Sequence, residues 1–133
     1  MDIRPGGSVP SRKAPPEWFT GTVWQDPVIE TSPPDVRATY VHFEPGARTN
    51  WHTHPLGQTL YILAGFGRVQ NWGGAVREVR AGDVVWFGPN EKHWHGAGMS
   101  TTMAHLAITG VAGGKFVEWL EKVTDEQYTA AAR

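Results

Sequence analysis

Residues 51–65 read WHTHPLGQTLYILAG. Two histidines one residue apart, followed by a glutamine four positions on, decide how the rest of the chain is read. Side chains alternate along a strand, so His52 and His54 point to one face. A second pair of the same form, His93 and His95, stands in EKHWHGAG at residues 91–98. Each pair follows a turn, and if the two strands are neighbours the imidazoles converge. A lone histidine on a strand is more often a surface or hydrogen-bonded core residue than a ligand. Two H-x-H pairs outweigh that default and indicate a metal site. Imidazole binds Zn, Fe, Ni, Cu and Mn-type ions alike, so the ligand type does not name the metal.

The chain around these pairs is cut into short pieces by 16 glycines and 10 prolines, and the pieces are rich in Val, Thr, Trp, Tyr and Phe. That is the composition of an all-β domain with tight turns. DVRATYVHFEPGA alternates: Val36, Ala38, Tyr40 and His42 share one face, and Arg37, Thr39, Val41 and Phe43 share the other. The pattern predicts a turn near Asp26–Pro27, strands near 57–63 and 66–72 joined at AGFG, and a hairpin at Gly73–Gly74. It also predicts strands in RAGDVVWFGPNEKHWHGAG and TTMAHLAITG, and extended chain over KFVEWLEKV. TDEQYTAAA reads as a helix, with Thr124 as N-cap and Gln127 completing a capping box. About ten short strands between frequent turns make a sandwich or a small closed barrel, and periodicity does not choose between them.

A length of 133 residues fits one domain. Residues 1–16 are polar and rich in Pro and Gly, and are expected to form an arm before a single domain at 17–133. The formal net charge is -1, with no basic stripe of the kind a nucleic-acid partner needs. There is no cysteine, which excludes disulfides, thiolate metal ligands and a cysteine nucleophile. No stretch is apolar enough to span a bilayer, and the N-terminus lacks the apolar core of a secretory signal, so the expected location is the cytoplasm. The seven tryptophans are read as core and interface packing. Together with the arm they predict a homo-oligomer, a homodimer or homotetramer.

The segment Gly46-x5-His52-x-His54-x3-Gln58-x6-Gly65 resembles the first cupin motif, with Gln58 in the usual glutamate position. A second motif starts at Gly82 and reaches His93 at the expected spacing. In it Pro89 is shifted by one residue, and Ala97 replaces the final asparagine. The resemblance implies a double-stranded β-helix, the jelly-roll barrel of the cupins, with His52, His54, Gln58 and His93 binding one divalent metal. A narrower resemblance rests on WFTGTV, FEPGARTNWHTHPLGQTL, GDVVWFGPNEKHWHGA, HLAI and VTDEQY, which together span Trp18 to Tyr128. These segments are similar to the manganese-dependent bacterial cupin hydroxynitrile lyases, which interconvert (R)-mandelonitrile with benzaldehyde and hydrogen cyanide. The resemblance implies Mn2+ as the metal, with Fe, Zn, Ni or Co as alternatives. It places His95 and His105 near the metal, and Thr39, Val41, Thr49 and Thr109 around a small-molecule substrate. Thr109 stands where that family is expected to carry glutamine.

The residues suit such chemistry. Three neutral imidazoles and a carboxamide leave the charge of a divalent ion uncompensated, which favours Lewis-acid chemistry on anions such as alkoxide or cyanide over a redox role. Cyanohydrin cleavage also needs a base for the hydroxyl and an acid for departing cyanide. His95, on the same strand face as His93, is the first candidate and His105 the second. A contrasting role for His95 is to orient a ligand. His42 lies on the face opposite Thr39, Val41 and Phe43, which makes it structural or exposed. Two other readings stay open: a cupin oxygenase or isomerase acting on a small aromatic or carbonyl compound, and a non-catalytic ligand-binding cupin.

Overall fold

A computed structural model describes residues 1–30 and 35–133. Among these are twelve strands: β1 (Arg12–Lys13), β2 (Phe19–Thr20), β3 (Val23–Ile29), β4 (Val36–Phe43), β5 (Arg48–Thr49), β6 (His52–Thr53), β7 (Gln58–Asn71), β8 (Arg77–Arg80), β9 (Val84–Phe87), β10 (His93–Ala97), β11 (Met103–Gly110) and β12 (Glu118–Trp119). One helix, α1 (Asp125–Thr129), follows. The strands pair antiparallel in the order β1-β3-β4-β11-β7-β10-β5-β2, with β8 and β9 also on β7, and β6 between β10 and β12. This is the curled, two-faced sheet of the cupin barrel. No helix among the described residues is long and apolar enough to cross a membrane.

β7 joins the two faces. Its first half pairs with β11 and β9, and its second half with β10 and β8. Sequence reading splits this segment in two; the structure shows one strand of 14 residues. Gly65 is the reason, because its φ of +75° bends the strand without ending the ladder. A Cβ there would stand 2.0 Å from the Thr102 carbonyl oxygen. One extra residue, Leu63, opposes the Ala104–His105 step of β11. That bulge changes which positions of β7 enter the main core: Leu60 and Ile62 before it and Val69 after it.

One further expectation changes. Asp26–Pro27 does not turn; β3 runs straight through it, with a register shift against β4 between Pro27 and Ile29. β1 covers β3 only at Trp24 and Gln25, so Pro27 lies on an uncovered edge where its missing N–H interrupts no ladder. In KFVEWLEKV only Glu118 and Trp119 enter a ladder, against Thr53 and His52. The Gly73–Gly74 turn forms as expected, with Gly73 at φ +79°.

The alternation of β4 is realised. Val41 and Phe43 enter the main core with Leu60, Ile62, Phe87 and Met103. A second cluster, Trp51, Val76, Trp94, Val123 and Tyr128, packs beneath α1. Thr124 caps that helix, with both arms of the capping box made to Gln127. Such a short helix is held by tertiary bonds rather than by propensity. The Tyr128 hydroxyl donates to the Ala97 carbonyl at 2.7 Å, Arg68 donates to the carbonyl of Tyr128 at 2.8 Å, and Arg48 donates to the carbonyl of Val123 at 2.8 Å.

Candidate metal centre and pocket

The two H-x-H pairs meet because β6 and β10 are neighbours in register, with His93 directly opposite His52. Ring centres lie 4.3 Å apart for His52 and His93, 5.0 Å for His52 and His54, and 5.4 Å for His54 and His93. Ring nitrogens of His52, His93 and His95 also all lie within 4.8 Å of one another. Gln58, at the start of β7, brings its Oε1 to 3.2 Å from His93 Nε2.

Three of these rings are held alike. The Nδ1 of His52 donates to the Asn50 carbonyl at 2.8 Å, that of His54 to the Phe116 carbonyl at 2.6 Å, and that of His93 to the Glu91 carbonyl at 2.7 Å. A proton on Nδ1 leaves the lone pair on Nε2, the arrangement that orients a ligating imidazole. His95 differs: its Nδ1 faces His105 Nε2 at 3.0 Å. His105 comes from β11, across the barrel. The Nε2 atoms of His54 and His95 and the Nδ1 of His105 are buried without a hydrogen-bond partner.

Burial keeps these imidazoles neutral. Desolvation pushes His93 down to about 3 and His105 down to about 4, and it lowers His52, His54 and His95 as well. For His52 and His95 neighbouring imidazoles add to the shift. Neutral rings with unpartnered buried nitrogens are costly as plain core but suited to a cation of borderline softness. The donor set therefore fits a divalent metal ion.

The cluster faces a cavity of about 80 Å³. Thr39, Val41, Thr49 and Thr109 line it, along with His52, His54, Gln58, His95 and His105. His93 does not line it and stacks instead on Phe87, 3.7 Å between ring centres. The Thr49 hydroxyl accepts from the His95 backbone N–H at 3.2 Å. His42 faces away and bonds Glu44 at 3.2 Å. Among the described residues no carboxylate lines the cavity, and Arg37 is the one charged residue that does. An outer chamber of about 500 Å³ continues from it, sharing Gln25, Arg37, Thr39, Phe116 and Trp119.

Sequence reasoning did not bring Phe116, Trp119, Gln25 or Arg37 into the site. For Arg37 the signal was present, since it alternates onto the same face as Thr39 and Val41. Phe116 contributes a backbone carbonyl, which no side-chain pattern reveals.

The fold and its histidine cluster define a cupin, and residues 39–109 match the family model described as a cupin domain. The chain belongs to the cupin family. It is 58% identical over 129 residues to a protein of Granulicella tundricola named (R)-mandelonitrile lyase, covering 96% of this chain and 98% of that relative. It is also similar to a cupin-like protein of Thermotoga maritima with a crystal structure. That match has 39% identity and a TM-score of 0.83, over 96% of this chain and 95% of the other. A polyketide cyclase of Streptomyces resistomycificus shares the fold at 19% identity, with a TM-score of 0.64 over 80% of this chain and 75% of that one.

Proposed function

We propose that this chain is a metal-dependent hydroxynitrile lyase that cleaves and forms (R)-cyanohydrins, mandelonitrile among them. The observation that carries this reading is a buried, carboxylate-free histidine cluster facing a cavity in a chain 58% identical to (R)-mandelonitrile lyase over nearly its full length.

His52, His54 and His93 would hold the ion through Nε2, and Gln58 through Oε1. The shared anchoring of the three Nδ1 atoms on backbone carbonyls supports this set. A divalent ion, Mn2+ in our reading, supplies Lewis acidity when bound. Cleavage removes the hydroxyl proton, breaks the bond between carbinol and nitrile carbons, and sends its electron pair away with cyanide, which takes up a proton. His95 suits both proton steps. When its Nδ1–H donates to His105, its Nε2 offers a lone pair to the hydroxyl. Once protonated, the ring is held by His105 and returns its proton to cyanide, because burial disfavours the charged form. Thr39, Val41, Thr49 and Thr109 shape the space for the aldehyde group.

The close grouping of His95 with His52 and His93 favours a second arrangement, in which His95 is a ligand and His105 alone moves the proton. Exposed Tyr61, Leu63, Val84, Trp86 and Ile108 on the outer sheet support a homodimer or homotetramer. We read 17–133 as one domain behind an arm that pairs at Arg12 and Lys13. The cytoplasm remains its expected location.

The test is to load the purified protein with manganese, measure metal per chain, and follow benzaldehyde release from racemic mandelonitrile. About one manganese per chain with preferential loss of the R enantiomer supports the reading. Full loading without release overturns it.

A further inference from the structure

The outer chamber carries a charge pattern that neutral mandelonitrile does not use. Its walls are Trp18 and Trp119, stacked with centres 5.5 Å apart, together with Phe116, Val117, Pro27 and Ile29. At its rim stand Arg12, Glu30 and Arg37. Both oxygens of Glu30 are taken by Arg12, at 3.0 and 3.3 Å. Arg37 reaches the same carboxylate only at 3.7 Å, beyond hydrogen-bond distance, and donates to the Glu30 carbonyl at a long 3.3 Å. Its guanidinium lies over the Phe116 ring at 4.2 Å, which fixes the plane of the fork. Arg4 also stands near enough to Glu30 to depress its carboxyl. Among the described residues, therefore, Arg12 takes both oxygens of the one carboxylate at this rim, and Arg37 is left with a single longer ion pair to it at 3.7 Å.

Arg37 is on the same strand face as Thr39 and Val41 and lines both the inner cavity and the outer chamber. The four residues from Val41 to Arg37 rise about 13 Å along β4, and Arg37 still lines the inner cavity with the histidines. A para-substituted aryl group extending from the histidine cluster past Thr39 would direct its substituent along this wall toward Arg37, beside Trp119.

We propose that Arg37 forms an anion subsite, and that the substrates this site takes best are cyanohydrins of aryl aldehydes bearing a distal carboxylate. The proposal rests on the lyase reading and names its substrate class. The planar fork of an arginine pairs a carboxylate through two parallel bonds, and aromatic walls hold the ring between the two ends. Arg37 acts here as a specificity-determining residue and takes no part in the proton steps.

The experiment compares manganese-loaded wild type, Arg37→Gln and Arg37→Lys on mandelonitrile and on the cyanohydrin of 4-formylbenzoate. The readout is the ratio of kcat/KM for the charged substrate to that for the neutral one. Wild type is expected to favour the carboxylate. Arg37→Gln is expected to lower the ratio about tenfold, mainly through KM, as loss of a charge-assisted contact does. Arg37→Lys keeps part of the preference. A ratio unchanged in Arg37→Gln overturns the proposal. A parallel titration of tryptophan fluorescence with 4-formylbenzoate and with benzaldehyde requires no turnover. Tighter binding of the carboxylate in wild type, lost in Arg37→Gln, supports the subsite even if neither cyanohydrin is cleaved, an outcome that sinks the lyase reading alone. Carboxylate binding that survives Arg37→Gln and vanishes with a chelator places the anion at the metal centre and overturns the subsite.

Discussion

Replacing Gln58 by Glu tests the electrostatic reasoning most directly. The residue is 5% exposed, and its Oε1 is 3.2 Å from His93 Nε2, so the new carboxylate is only weakly screened. Among the described residues the cavity otherwise holds no negative side chain. Lyase chemistry builds negative charge on the cyanohydrin oxygen and on departing cyanide. Two unit charges about 4 Å apart repel by about 4 kcal/mol at an effective dielectric of 20. With about half of the charge developed at the transition state, Gln58→Glu loses about 2 kcal/mol, or roughly thirtyfold in kcat/KM. Metal retention should not fall, because a carboxylate binds a divalent ion at least as well as a carboxamide. The assay is benzaldehyde release from (R)-mandelonitrile at matched metal content, with metal measured on the same samples. A Gln58→Glu protein fully loaded and as fast as wild type would refute the claim that an uncompensated positive centre drives the reaction.

Other perturbations probe the remaining groups. His95→Ala is expected to lower kcat for mandelonitrile about a hundredfold or more while keeping its metal; parallel loss of metal and activity would instead make His95 a ligand. His54→Ala should lose bound manganese, and full retention on dialysis would remove His54 from the ligand set. Tyr128→Phe takes away the 2.7 Å bond to the Ala97 carbonyl and should cost about 1–2 kcal/mol in urea unfolding, with no change in the slope of the transition. Metal-stripped protein should lose stability on acidification. The depressed His93 and His105, at about 3 and about 4, stay neutral while the unfolded chain takes up protons near 6.5. Stability is therefore full above about pH 6.5 and falls below it, by up to about 1.4 kcal/mol per pH unit for each such histidine, until the folded values are reached. A flat unfolding midpoint from pH 7 to pH 5 would contradict this.

What was legible in the sequence followed from strict period-two pattern and from local capping. The β4 alternation put Thr39 and Val41 on the cavity side and His42 on the other, and the Thr124–Gln127 box marked the helix. The H-x-H pairs promised convergence, and the register of β6 against β10 delivers it. What escaped depended on contacts between distant segments. A glycine usually reads as a break, so Gly65 concealed a strand that continues through it. A proline usually reads as a turn, so Pro27 concealed one that stays straight. The third anchor, the Phe116 carbonyl, lies 62 residues from His54 in sequence and belongs to backbone that no residue type marks.

Those backbone anchors also bear on why the barrel tolerates such a polar centre. A neutral imidazole has one donor and one acceptor, and burying both unpaired is costly. In His52, His54 and His93 the donor is satisfied by a nearby carbonyl, which confines the open demand to one lone pair per ring. Two of those carbonyls, from Asn50 and Glu91, come from residues two positions before the histidine they hold. The local chain therefore sets the tautomer, while the β6–β10 register sets the convergence. Changing either residue's side chain leaves its carbonyl in place, so the tautomer of His52 and His93 is robust to substitution there. His54 is exposed to change, because its anchor comes from the segment around Phe116, which also walls the outer chamber.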